Sequence, residues 1–196
     1  IASFVSMAVI VPTLIGAAIA VQLCKKYDKF KIFYFSYMFA LILGIVRYIA
    51  GYENMMVYVI LNALGGFPLG IAAILQYQFT PDCYEYGQYK TGLKMRGVTF
   101  AAQTFFTKLN GAIATAVSVF ALTLIGFKEG EGVIQAAGFA DKLWTFSCLG
   151  SIIGGIGTLL ILRLYKLHDH DVQLMSKCNN GEITREEAEA QMINRY

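Results

Sequence analysis

Charged side chains are scarce in this sequence. They make up 15% of its 196 residues, against about 25% in an ordinary soluble domain. The shortage is concentrated in long apolar runs, and 57% of all residues are hydrophobic, a composition that points to lipid. No span carries Asp or Glu in its interior, and the alternating strands of a β-barrel are absent. The four cysteines, Cys24, Cys83, Cys148 and Cys178, form no CxxC pair, which argues against a metal site or a disulfide framework and for free thiols. The net charge of +3 gives no reason to expect nucleic-acid binding. The chain opens Ile-Ala-Ser-Phe with no basic stretch before its first apolar run, unlike a signal peptide. The expectation is a sequence that begins inside a longer protein.

What is present is five apolar stretches, near 1–23, 31–50, 55–79, 97–125 and 140–164. Each is long enough to cross a hydrocarbon core of about 30 Å as a helix of roughly 20 residues. Backbone polar groups have no water partners in lipid, so helices are the expected solution. The fold class predicted is an all-α, polytopic membrane bundle over 1–165, followed by a polar, solvated tail over 166–196. Pro12, Gly16 and Ala20 mark the first span for a kink or close packing. Gly65-Gly66-Phe67-Pro68-Leu69-Gly70 in the third predicts either a broken helix or a packing notch. Thr80-Pro81-Asp82 reads as a helix end. Arg47, near the end of the second span, is placed to snorkel to headgroups or to meet a partner. In the tail, Thr184 and Glu187 fit a capping box, and His168-Asp-His170-Asp is too weak a pattern for a metal site.

Lysine and arginine set the orientation. The first turn holds Lys25, Lys26, Lys29 and Lys31. The segment 82–96 holds Lys90, Lys94 and Arg96, and the tail holds Arg163, Lys166, Lys177, Arg185 and Arg195. The linker at 51–54 has none, and 127–142 has only Lys128 and Lys142, beside Glu129 and Glu131. The positive-inside rule then puts the first turn, 82–96 and the tail in the cytoplasm and the first residue outside.

The stretch 82–108 organises the rest. A polar, glycine-punctuated segment, read as a cytoplasmic hinge, leads into an apolar helix with one lysine. From Gly97 to Lys108 is about 16 Å of helix, near the bilayer midplane. A lysine there costs about 2.5–3.5 kcal/mol on insertion scales. Helical spacing puts Ala101, Thr104, Gly111, Thr115 and Ser118 on its face, with Gln103 and Thr107 flanking. Phe106, Ile113, Val117 and Phe120 lie opposite. A polar stripe backed by bulky side chains fits a helix beside a cavity, with Lys108 lining a transport pathway. The competing expectation is a structural ion pair with a carboxylate on another helix.

Asp82-x-x-Glu85-Tyr86-Gly87-Gln88-Tyr89-Lys90-Thr91-Gly92, followed by Gln103-Thr104-x-x-x-Lys108, resembles the signature of the glycoside–pentoside–hexuronide:cation symporters of the major facilitator superfamily. That pattern reads roughly D-x-x-D-Y-G-E-[WY]-K-T-G-x-R-x-E-G, between the tenth and eleventh helices. Glu85, Gln88, Lys94 and Arg96 depart from it, and Arg96 reverses a charge. The resemblance implies helices eight to twelve of such a carrier in the cell membrane, with sugar–cation symport by alternating access. It implies Lys108, Gln103 and Thr104 as sugar-cavity residues, and Asp82, Glu85, Tyr86, Gly87 and Lys90 as a cytoplasmic gate. The implied partners are a sugar or glycoside, a coupling cation (Na⁺ or H⁺), the bilayer and an amino-terminal half carrying the cation site. No cofactor and no enzymatic activity are expected. The alternative is a non-transporting five-helix membrane subunit or scaffold. An intramembrane enzyme lacks a constellation of His, Asp, Glu or Ser within the spans.

Overall fold

The computed structural model describes residues 2–130, 134–194 and 196, with side chains from residue 7 onward. Ile1, Glu131 and Arg195, which entered the sequence reading, lie outside the described residues. The elements are α1 (Ala2–Leu23), α2 (Lys29–Ala50), α3 (Met55–Thr91), α4 (Arg96–Leu124), α5 (Phe139–Leu162), α6 (Asp169–Asn179) and α7 (Arg185–Gln191). There is no strand among the described residues. Helices α2, α3, α4 and α5 are each long and apolar enough to cross a membrane, and α1 adds a shorter apolar stretch, Met7–Leu23. The chain is an all-α, multi-pass membrane bundle, built because lipid leaves backbone groups no partner outside a helix.

Packing within the bundle is made by small residues. Helix α1 lies against α3, and α2 lies between α3 and α5. The cluster between α1, α2 and α3 is Ala20, Ile32, Phe33, Ile71, Ala72 and Leu75. The α1–α3 seam is closed by glycine: a methyl group at Gly70 would fall on the Thr13 carbonyl, and one at Gly16 on the Phe67 carbonyl. Backbone approach of this kind substitutes in lipid for the hydrophobic effect. The run 65–70 therefore serves as a packing notch. It remains helical throughout, with Pro68 fully buried, and the broken-helix expectation is corrected.

The hinge expectation changes in the same way. Helix α3 does not stop at Thr80-Pro81. It continues for 37 residues to Thr91, about 55 Å at 1.5 Å per residue, so its last third stands clear of a core about 30 Å thick. The helix ends at Gly92, whose φ of 71° only glycine adopts without strain and whose N–H bonds the Gln88 carbonyl. The non-helical link to α4 is only residues 92–95. A mid-helix proline costs about 3 kcal/mol. Partners contributed by distant segments to Asp82, Glu85 and Tyr89 hold the final turns helical.

The tail is not uniformly solvated. Helices α6 and α7 fold back, α6 packs on α3, and Asp171, Val172, Leu174, Met175 and Ala188 are buried. Thr184 and Glu187 form the expected capping box at the start of α7. Helix α4, by contrast, meets chiefly α3 and buries one residue, Ala121, leaving its polar and bulky faces uncovered.

Candidate functional site

The polar end of α3 meets the α1–α2 turn and α6 in one ionic network. Lys29 Nζ lies 2.8 Å from both carboxylate oxygens of Asp82 and 3.4 Å from Asp169 Oδ1. Side-chain exposure of Lys29 and Asp82 is 18% and 7%, so the pair is largely withdrawn from water. Two helix N-termini are tied together around it. Asp28 caps α2 by accepting from Phe30 N–H, and it also accepts from Asp169 N–H at 3.1 Å. Asp169 in turn accepts from Lys29 N–H at 2.8 Å. Two carboxylates thus flank one ammonium, while Asp28 lies 3.5 Å from His168 Nδ1, and the positive ends of α2 and α6 offset the remaining negative charge. Below lies an aromatic plug: Tyr165 stacks on Phe30 at 5.4 Å and edges Phe79 at 5.2 Å. Burial, then the charge of Asp82, pushes the Tyr165 phenol far above its ordinary range.

Further along α3, Glu85 accepts from the Asn179 side-chain amide at 2.8 Å, and the Tyr86 ring meets the Tyr196 ring edge-on at 5.8 Å. The Tyr89 hydroxyl donates to Glu189 at 3.0 Å beneath the Arg185 guanidinium. Gly87 contributes a carbonyl to the Thr91 hydroxyl. Lys90 is exposed and has no ion pair among the described residues. The structure therefore brings Asp82, Glu85 and Tyr86 together with the turn and the tail, while Lys90 stands free. Sequence reading missed Lys29 and Asp169 as members of this cluster. The available signal was an Asp beside each helix start, at Asp28-Lys29 and His168-Asp169.

Asp171 anchors the last residues. It is fully buried and accepts from Ile193 N–H at 2.8 Å, Asn194 N–H at 3.2 Å and the Tyr196 hydroxyl at 2.8 Å. Burial opposes ionisation, but these bonds outweigh it and hold the carboxyl below its ordinary value. A depressed carboxylate stabilises docking above its unfolded pKa of about 3.9, and that contribution fades as pH falls below this toward the folded value. Asp171→Asn is expected to free the 192–196 segment at neutral pH. Hydrogen exchange at the Ile193 amide should rise about tenfold or more, matching the loss of a hydrogen bond to a charge. An unchanged rate would show that the anchor lies elsewhere.

The residues on α4 occupy a separate region. The hydroxyls of Thr104, Thr107, Thr115 and Ser118 bond carbonyls one turn back, at 2.7–3.0 Å. They are satisfied within their own helix. Lys108 is exposed, and neither it nor Gln103 has a side-chain hydrogen bond or ion pair among the described residues. No group of three or more His, Cys, Asp or Glu able to hold a metal occurs among the described residues.

The family described as MFS/sugar transport protein matches residues 1–169. A candidate sulfoquinovose importer of Escherichia coli (strain K12) is 25% identical over 147 residues, 73% of this chain and 31% of that protein. A candidate glycoside/cation symporter of the same strain, YagG, is 22% identical over 165 residues, 84% of this chain and 36% of that protein. The inner membrane symporter YicJ is 21% identical over 163 residues, 83% and 35% of the two chains. The chain thus spans about a third of the length of the curated relatives it matches. No solved structure matches significantly.

Proposed function

We propose, from the premise that the chain belongs to the MFS/sugar transport protein family, that it is part of a secondary active sugar carrier working by cation symport and alternating access. The observation that carries this reading is the polar stripe of α4. Lys108 is a lone ammonium near the middle of a membrane helix, beside Gln103 and Thr104, with no partner among the described residues. In lipid that arrangement persists where water or solute reaches it. Sugar hydroxyls suit an amide, a hydroxyl and an ammonium, and a uronate or other anionic sugar would pair with Lys108 directly.

The gate residues take two roles in this proposal. Asp82 and Glu85 are bonded to the turn and tail of their own bundle and Tyr86 packs on Tyr196, so they position its cytoplasmic end as one piece. Lys90, exposed and unpaired among the described residues, is the charge free to meet an opposing half as the carrier rocks, and Gly87 adds no side chain to obstruct it. The coupling cation, Na⁺ or H⁺, is proposed to bind in an amino-terminal half of the carrier, as the symporter resemblance implies. The network end faces the cytoplasm, on the positive-inside argument, and the carrier sits in the cell membrane. Nothing observed favours a scaffold role.

The test is uptake by vesicles containing the full-length protein. Labelled glycosides, pentosides and hexuronides should accumulate only when an inward Na⁺ or H⁺ gradient is imposed. Accumulation independent of either gradient would remove the symport reading, and no flux of any sugar would remove the carrier reading.

A further inference from the structure

At the membrane face opposite Lys29, Arg47 sits where α2, α3 and α5 converge. The two residues are 18 positions apart on α2, about 27 Å along the helix. Arg47 does not snorkel into water. Its Nη1 donates to Asn62 Oδ1 at 3.1 Å, its Nη2 lies 3.7 Å from Cys148 Sγ, and its guanidinium stands 5.5 Å from the centre of the Trp144 ring. The Nε of Arg47 and the Nε1 of Trp144 are buried donors without a partner among the described residues. No carboxylate pairs with Arg47 among those residues. Asp141, at the same end of α5, is engaged by the Tyr52 hydroxyl instead.

Two cavities meet at this arginine. One of about 430 Å³ is walled by Tyr52, Tyr58, Trp144 and Ser147. The other, about 380 Å³, runs down between the helices past Gly44, Leu61, Leu69 and Ile152. The first has the aromatic walls typical of the headgroup level, and the second is mostly apolar, with Asn62 and Ser151 in its wall. A cation without a counter-charge, at the junction of an aromatic vestibule and a greasy groove, complements an amphiphile with an anionic head. We infer that this crevice binds an anionic phospholipid, its phosphate on Arg47 and the Trp144 indole N–H, and the start of an acyl chain in the groove of α2, α3 and α5. The family reading assigns no function to these residues. The guanidinium fork matches phosphate geometry.

Full-length protein titrated with phosphatidylglycerol or phosphatidylcholine, and followed by native mass spectrometry, tests this. The expected result is retention of phosphatidylglycerol but not phosphatidylcholine, reduced about tenfold or more in Arg47→Gln. Arg47→Lys, which keeps the charge, should retain an intermediate amount. Trp144→Phe, which keeps the ring and removes the N–H, should retain less than wild type. Equal retention by wild type and Arg47→Gln overturns the inference. Displacement of the lipid by millimolar inorganic phosphate also overturns it, because the site would then serve a soluble anion. Should Arg47→Gln fail to fold, Trp144→Phe and the phosphate competition decide alone.

Discussion

With Lys108 replaced by alanine, the full-length carrier is expected to lose cation-driven sugar uptake by about 30-fold or more, the value of a charged hydrogen bond of about 2 kcal/mol made to the solute. Its amount in the membrane should hold or rise. The sign of that second effect separates the two accounts of this residue. A mid-membrane lysine without a partner costs about 2.5–3.5 kcal/mol, so its removal relieves the fold. A lysine paired to a carboxylate on another helix would, on removal, strand that charge and destabilise by about 3–5 kcal/mol. Quantitative immunoblotting and a thermal melt of the purified variant, read beside the uptake rate, therefore test the role of Lys108 as well as its importance. Lys108→Arg should recover part of the uptake, because the charge is kept and the hydrogen-bond geometry is not.

The second large effect concerns Lys29 and Asp82. Lys29→Gln is expected to lower stability more than Asp82→Asn does. The reason is the surrounding charge: the first change leaves Asp82 and Asp169 without their shared ammonium, whereas the second leaves Lys29 with Asp169. Removing one member of a largely buried pair costs about 3 kcal/mol at the low end, about 6–12 °C in melting temperature for a unit of this size. Asp82→Asn should fall below that because Asp169 remains and the amide oxygen still accepts. The double variant should be no worse than Lys29→Gln alone, since the interaction is removed once. Strictly additive losses would mean that the contact between Lys29 and Asp82 contributes nothing.

The all-α membrane class was legible because it depends on long apolar runs, which need no knowledge of neighbours. The polar stripe of α4 was legible for a similar reason: helical spacing alone puts Thr104, Lys108, Gly111 and Thr115 on one face. What could not be read depended on residues distant in sequence. Pro81 is a local stop signal, overridden because Asp82 finds Lys29 and Glu85 finds Asn179. The tail looked solvated because its apolar residues are few, yet Val172, Leu174 and Met175 all turn inward. Glycine and proline at 65–70 serve a broken helix and a close seam equally well, and only the Val9 and Thr13 carbonyls against Gly66 and Gly70 decide. Arg47 lies near enough to a helix end to snorkel, and its turn toward Asn62 and Trp144 follows from packing alone.

The most direct test is the chemical accessibility of position 108. The chain should carry Lys108→Cys in full-length protein whose native cysteines are replaced. A charged, membrane-impermeant thiol reagent is expected to label this cysteine, and the transported sugar to slow labelling severalfold. A cysteine that reacts only with lipid-soluble reagents, or at a rate indifferent to sugar, would contradict it.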